Sequence, residues 1–411
     1  MKLKIVFFFF GTKHIGGVQT LFIRLAKFLQ NKCDVFISDV SQSGVFYDAT
    51  KGNNITFLKF SFRGVTLPNN AVVVTPVEFS VFAGHLRGEN LRFLFWDVYP
   101  GSMASVSFFR FLSFFKRTLR LGLSVRTEKF LMQLIDLPLY LRLRSLCKTM
   151  SEKQGLVYMT KDENNAYNEG LWGMKIREKV VPVCVELGDF VEPNRNTDYI
   201  RVCWLGRFCD FKYPAIKDII EELHKFCQKY PKRNVHLDLV GYGSWENKIR
   251  RDCARCALDN FVTEIKGEIR GKALEVYLKN SVDLVCTHGT SVLEGARFGI
   301  PSVICCGGCE SREDVKYQWL YKSEESCVGN LRGFKGEETL EKFLNELCQS
   351  PDIIGRKCYE HVAKYYDVTV VAQKFLSAVR ETELTLEDIK KTKITKHTFL
   401  FRALDFLRFK D

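Results

Sequence analysis

Leu284-Val-Cys286-Thr-His288-Gly289-Thr290-Ser291-Val-Leu-Glu294-Gly295-Ala-Arg-Phe-Gly299-Ile-Pro301-Ser-Val-Ile304 decides how the chain is read. Residues 284–286 and 302–304 are short β-prone runs. Between them a Gly-Thr-Ser turn opens a helix, and Gly299-Ile-Pro301 closes it. A strand, a helix and a second strand in so short a span form a unit of a parallel sheet. Ser291-x-x-Glu294 also has the form of a capping box, in which Glu294 ties down its own helix start. A helix that begins at such a turn equally offers free N–H groups to a phosphate. Both readings of Glu294 stay open at this point.

The same alternation runs through the rest of the chain. In the first half, residues 2–9 read as a buried strand, 18–29 as a helix, and 34–38, 55–60, 71–75 and 91–96 as further strands. In the second half, 200–205, 236–240, 262–265, 284–286 and 302–304 read as strands, with helices over 215–229 and about 245–258 between them. Strands that alternate with helices imply parallel sheets covered on both faces. The stretch from Val180 to Asn196 has two prolines and no helical period, so it reads as the link between two domains. The expected organisation is a first Rossmann-like domain over residues 1–185, a second over 186–380, and a basic amphipathic tail over 381–411. The expected class is α/β, with two doubly wound domains facing a central cleft.

The chain has 411 residues, a formal net charge of +13 and 15 scattered cysteines. The length fits two or three domains. The charge points to an anionic partner such as nucleic acid, anionic lipid or a phosphorylated substrate. No apolar run is long enough to span a bilayer, and the start of the chain lacks the form of a secretory signal. The expected place is therefore the cytoplasm, with reduced thiols.

Other strand-to-helix turns carry chemistry of one kind. Gly11-Thr-Lys-His-Ile-Gly16-Gly17 follows the first strand, and paired glycines there let a backbone approach a ligand. Gly206-Arg207-Phe-Cys-Asp-Phe-Lys212 follows residues 202–205, so a guanidinium and an ammonium leave one loop at the end of a sheet. Such a pair can clamp a diphosphate. Leu239-Val-Gly241-Tyr-Gly243 is another strand running into a glycine turn.

In this order and at these distances the motifs resemble the retaining glycosyltransferases of GT-B fold, family 4 in particular. The family's Gly-Gly turn is matched at Gly16 and Gly17, its Gly-Arg loop with a later Lys by Gly206, Arg207 and Lys212, and its Val-Gly-x-Gly turn at Gly241 and Gly243. Gly267-Glu268-Ile269 matches its Gly-x-hydrophobic turn, and Glu294 to Pro301 matches its last helix. The resemblance covers roughly residues 1–375 and is strongest over 200–305. It implies transfer of a hexosyl unit from a nucleotide sugar with retention. Arg207, Lys212 and the Gly289-Thr290-Ser291 turn would take the diphosphate, and Glu294 the ribose hydroxyls. One charged donor aimed at the leaving group contributes about 3 kcal/mol. No Asp-x-Asp metal motif precedes a suitable strand end, so neither metal nor cofactor is expected. The family's earlier Glu, a donor-sugar contact, falls at Cys286, and His288 or backbone groups are the candidates to replace it.

Asp97 and Glu78 follow strands of the first domain and are candidates for the acceptor side. Cys253, Cys256 and the Cys305-Cys306-Gly-Gly-Cys309 run lack the spacing of a zinc ribbon. Residues 104–121 set Phe108, Phe111, Leu112, Phe115 and Leu119 on one helical arc and Arg110, Lys116, Arg117 and Arg120 on the other. Arg126, Lys129, Phe130, Leu131, Leu134, Arg142 and Arg144 follow. Residues 397–410 repeat the pattern after a basic run. These stretches predict peripheral binding to an anionic membrane surface at the inner face of the cell membrane. Packing against the protein's own core is the other reading of both. The expected partners are a nucleotide sugar and a lipid-linked or lipopolysaccharide acceptor of a bacterial surface polysaccharide pathway. No nucleic-acid motif is present. The rivals are a GT-B nucleotide-sugar epimerase and an inactive membrane-associated scaffold.

Overall fold

A computed structural model describes residues 2–9, 16–61, 63–98, 102–103, 124–161, 163–192, 198–306, 314–329, 334 and 336–395. The chain forms two compact units, one of Met1–Cys184 with Val368–Asp411, the other of Val185–Asp367. The units divide at Cys184/Val185 and at Asp367/Val368, where the sequence reading sets boundaries at residues 185 and 380.

The first unit opens with β1 (Lys4–Phe8), α1 (Gly17–Leu29), β2 (Asp34–Asp39), α2 (Val45–Thr50), β3 (Ile55–Lys59), β4 (Val65–Thr66), β5 (Val72–Pro76), β6 (Leu86–Arg87) and β7 (Arg92–Asp97). It continues with α3 (Val125–Glu152), β8 (Leu156–Tyr158) and α4 (Glu163–Trp172). The main sheet has the order β3-β2-β1-β5-β7-β8, and every pairing in it is parallel. The apolar strand runs explain this arrangement, because successive side chains of one strand go to opposite faces. Val6, Phe8, Val73, Phe93 and Phe95 enter one core. Ile5, Phe7, Val72, Val74, Leu94 and Trp96 enter the other. Both faces are dry, as a parallel sheet requires.

The second unit contains β9 (Ile200–Leu205), α5 (Tyr213–Lys229), β10 (Val235–Val240), α6 (Glu246–Arg255), β11 (Phe261–Gly267), α7 (Gly271–Ser281), β12 (Leu284–Thr287) and α8 (Ser291–Ala296). β13 (Ser302–Cys305), β14 (Tyr317–Trp319), α9 (Glu341–Gln349) and α10 (Pro351–Tyr365) complete it. The strand order is β11-β10-β9-β12-β13-β14, with only β14 antiparallel. The chain winds outward from β9 to β11 and then crosses back to β12. The order therefore reverses between β9 and β12, the place where doubly wound sheets bind ligands beyond their strand ends.

After Asp367 the chain returns to the first unit as α11 (Val368–Glu381) and α12 (Leu386–Lys391). Val368, Val371, Ala372, Phe375, Ala378 and Val379 fill the same core as Phe7 and Trp96. Phe375 stacks on both of these rings, with centroids 5.7 Å away in each case. The tail after Glu381 is also packed. Thr382 Oγ1 donates to the Phe93 carbonyl at 2.6 Å, and Leu384, Leu386, Ile389 and Ile394 are buried in the opposite core. Thr385 and Asp388 form a reciprocal capping box at the start of α12. Residues 381–395 thus follow the packing alternative. The amphipathic stretches at 104–121 and 397–410 lie outside the described residues. Among the described residues no helix is long and apolar enough to cross a membrane.

Candidate functional site

The site grows out of the ends of β9, β10, β11 and β12. Gly206 N–H donates to Val240 O at 2.9 Å, Phe208 N–H to Tyr242 O at 2.8 Å, and Gly241 N–H to Gly267 O at 2.8 Å. The three loops are thus stitched side by side beyond the sheet. The stitching explains two glycines. A Cβ on Gly241 would lie 2.0 Å from Gly206 O, and one on Gly243 would lie 2.1 Å from Phe208 O. Both also have positive φ, at +157° and +154°. These residues fit the backbone of the Arg207 loop, so their contribution to any ligand is made through that loop. On the other side of β9, buried Thr287 donates from Oγ1 to Leu205 O at 3.0 Å and locks β12 to β9 at the switch point.

Two predicted side chains, Lys212 and Ser291, approach Gly206 there. A Cβ placed on Gly206 would lie 2.7 Å from Lys212 Nζ and 3.8 Å from Ser291 Oγ. Lys212 Nζ also sits 5.7 Å from the centre of the Trp204 ring. Burial of the ammonium pulls the Lys212 pKa below its ordinary value, and the charge of Arg207 adds to the effect. Among the described residues no carboxylate acts on the Lys212 charge. Arg207 itself is exposed at the tip of the loop.

His288 is the first residue beyond β12 and is 6% exposed. Its ring meets Trp204 edge-on at 5.6 Å, and its Nδ1 is 3.7 Å from Cys305 Sγ. Nε2 is buried and makes no hydrogen bond with the described residues. Burial, then the Lys212 charge, holds the His288 pKa well below the usual imidazole range, so the ring is neutral at neutral pH. Cys286, where the resemblance to family 4 would place a Glu, is completely buried within β12. The group presented at the end of this strand is His288.

The helix that follows differs from its sequence reading. Thr290 is the N-cap of α8 and makes no side-chain cap, so Ser291 is the first helical residue and the Ser291–Glu294 capping box does not form. Gly289, at φ +71°, starts the turn one residue early. Glu294 faces forward instead and pairs with Arg297 Nε at 3.1 Å. Arg297 in turn donates to Glu186 O at 2.9 Å. Glu268 pairs with Arg270, and Ile269 packs on the small core beneath the site, with Val240, Val285 and Phe298.

Other candidates belong to the first unit. Gly16 and Gly17 form the N-cap and first residue of α1, and a Cβ on Gly16 would meet Gln19 Oε1 at 2.7 Å. Residues 11–15 of that turn lie outside the described ones. Asp97 is completely buried. Ser102 Oγ donates to one of its oxygens and Asn168 Nδ2 to the other, at 2.6 Å. The Asp97 carboxylate, a candidate for the acceptor side, therefore ties the end of β7 to α4 in the interior. Cys253 and Cys256 lie at the end of α6, and among the described residues no group of three or more His, Cys, Asp or Glu is placed to hold a metal.

Sequence reasoning missed Trp204 and Phe211. Trp204 forms the wall between Lys212 and His288. Phe211 is 43% exposed, and its ring centre is 6.5 Å from that of His288. Strand alternation in Val202-Cys-Trp-Leu205 was the available signal for Trp204. Phe211 carried none beyond its place between Arg207 and Lys212.

No protein-family model matches the sequence, and no curated protein is similar to it. Solved structures do match. A glycosyltransferase from Rickettsia africae ESF-5 superimposes with a TM-score of 0.56 at 13% identity, covering 93% of this chain and 98% of its own. A trehalose-6-phosphate synthase gives 0.53 at 11% identity, over 92% of this chain and 99% of its own. The lipopolysaccharide outer core galactosyltransferase WaaB gives 0.50 at 14%, over 92% and 99%. The chain has the two doubly wound Rossmann-like units of the GT-B fold.

Proposed function

We propose that the protein is a glycosyltransferase that takes its sugar from a nucleoside diphosphate donor. The observation that carries this reading is the pair of cations at the β9/β12 switch point. A half-buried ammonium, Lys212, sits beside the exposed Arg207, and among the described residues no carboxylate acts on it. A partly desolvated cation without an anion is costly unless a ligand supplies the charge. A diphosphate does so, and its charge grows as the sugar leaves. Lys212 and Arg207 then stabilise the leaving group more than the ground state, which lowers the barrier. Neutral His288, with Nε2 unbonded among the described residues, is the group that can accept from or donate to the sugar or the phosphate at the end of β12. Glu294, on the first turn of α8, takes the ribose hydroxyls.

The finer reading is transfer with retention, without a metal, to a lipid-linked or lipopolysaccharide acceptor on the inner face of the cell membrane. The fold it shares with WaaB supports that acceptor class, and the resemblance to family 4 supports retention. Cys286 in place of the family Glu favours a second reading, a scaffold that binds nucleotide and transfers nothing. Both are tested by screening the purified protein against nucleotide sugars by thermal shift, then assaying transfer from whichever donor stabilises it. Stabilisation by one donor with turnover supports the transferase. Stabilisation without turnover on lipid-linked and lipopolysaccharide acceptors supports the scaffold, and no stabilisation by any donor removes both.

A further inference from the structure

Helix α3 buries one face and leaves a second apolar face open. Met132, Leu139, Tyr140, Leu143, Leu146, Cys147 and Met150 are in the core of the first unit. Phe130, Leu134, Leu137 and Leu141 point away from it and are 62%, 70%, 47% and 52% exposed. The other large exposed apolar side chains among the described residues, Val40, Phe211, Val262, Val276 and Ile353, are spread along the chain. Such scatter is ordinary, whereas four on one helix form a patch. The helix is kinked at Asp136, whose carboxylate accepts from Leu139 N–H at 3.0 Å and restarts the second half. Phe130 and Leu134 lie one turn apart before the kink, and Leu137 and Leu141 one turn apart after it.

On this helix the exposed charges that flank the patch are basic, apart from Glu152 at its end. Exposed Arg126 stands before Phe130, and exposed Arg144 and Lys148 follow Leu141. The acidic side chains between them are turned inward. Glu128 is buried and accepts from Tyr167 Oη, and Asp136 is buried at the kink. Only Glu152, paired with Lys148 at 3.8 Å, is acidic and exposed on this helix. An apolar centre with cations at both ends matches the chemistry of an anionic lipid surface, with aromatic and aliphatic side chains among the acyl chains and cations among the headgroups. It does not suit a second copy of the same face, which would set like charges together in a chain that already carries +13.

We propose that this face of α3, Phe130, Leu134, Leu137 and Leu141 with Arg126, Arg144 and Lys148, seats the protein on anionic membrane. The proposal deepens the reading of a membrane-borne acceptor but is measured without nucleotide or acceptor. Its failure therefore leaves glycosyl transfer standing, and a failed donor screen leaves this surface standing. The experiment is co-sedimentation of the full chain with vesicles of phosphatidylcholine, alone or with one part in three of phosphatidylglycerol. The wild type should bind the anionic vesicles more tightly than the neutral ones. Phe130→Ser with Leu134→Ser should weaken binding to anionic vesicles about tenfold or more, since each residue gives up an apolar side chain's transfer from water. Arg126→Ala with Lys148→Ala should weaken binding to anionic vesicles and leave neutral ones unaffected. All four positions are exposed, and an unchanged melting temperature verifies that the variants are folded. The proposal is overturned if the serine variant sediments like the wild type, which assigns binding to other segments, or if the wild type binds neither vesicle. It is also overturned if light scattering shows a wild-type dimer that the serine variant dissociates, which assigns the face to a second copy.

Discussion

Arg207 and Lys212 come from one loop but answer to different tests. Arg207 is exposed, so Arg207→Ala should leave the melting temperature unchanged while lowering kcat/KM by about 10²–10³, the loss expected for one charged donor. Steady-state kinetics beside thermal melting separates the two effects. Lys212 is half-buried, and its lowered pKa gives a pH signature. The ammonium is lost at lower pH than that of an ordinary lysine, while a bound diphosphate restores it by favouring the charged form. Donor affinity should therefore fall as pH rises through the free-state pKa, with uptake of a proton on binding in that window. Calorimetry in buffers of different ionisation heat measures that proton, and pH-independent binding without uptake removes Lys212 from the diphosphate site. Gly241 makes a third case. With φ at +157° and Gly206 O only 2.0 Å from a new Cβ, Gly241→Ala should cost about 1–3 kcal/mol or more and displace the Arg207 loop. Urea unfolding measures the cost, and nucleotide titration of the folded fraction measures the displacement. The cation pair was legible in sequence because it rests on spacing after a strand. The forward turn of Glu294 to Arg297 was not, because Ser-x-x-Glu fits a cap whether or not the helix starts at the serine.

Among elements, α11 shows where sequence patterns stop. Val368, Val371, Ala372, Phe375 and Val379 give an apolar stripe that any reader finds. A stripe says that a helix is covered but not which sheet covers it, so the boundary at residue 380 followed chain order. The fold instead assigns α11 to the core around Phe7 and Trp96. The strands were easier, because β1 and β5 are uninterrupted apolar runs that only a sheet covered on both faces accommodates. Phe375→Ala would empty the space between two stacked rings and should destabilise the first unit by about 3–5 kcal/mol. Denaturant unfolding monitored by tryptophan emission is the measurement. A loss below about 1 kcal/mol would mean that the helix is not held as described.

For the whole molecule, the tail divides at residue 395. Leu384, Leu386, Ile389 and Ile394 are core residues of the first unit, whereas 396–411 lie outside the described residues. A chain ending after Thr395 keeps all four of these side chains. One ending after Glu383 loses four buried aliphatic side chains, which at about 1.5–3 kcal/mol each is comparable to the whole stability of a domain, and the first unit should unfold. Differential scanning calorimetry of the two truncations decides this, and equal melting of both would contradict the packing of α12.

The connectivity also sets an order of assembly. The second unit is one uninterrupted length of chain, Val185–Asp367, set inside the two segments of the first. During synthesis the core around Phe7 and Trp96 waits for α11 while all of the second unit is made. At roughly 5–20 residues per second that wait lasts on the order of tens of seconds. The unit begun first is then the last to close. While it waits, Phe7, Phe22 and Trp96 present an open aromatic surface at the ribosome, the kind of surface that holding chaperones bind.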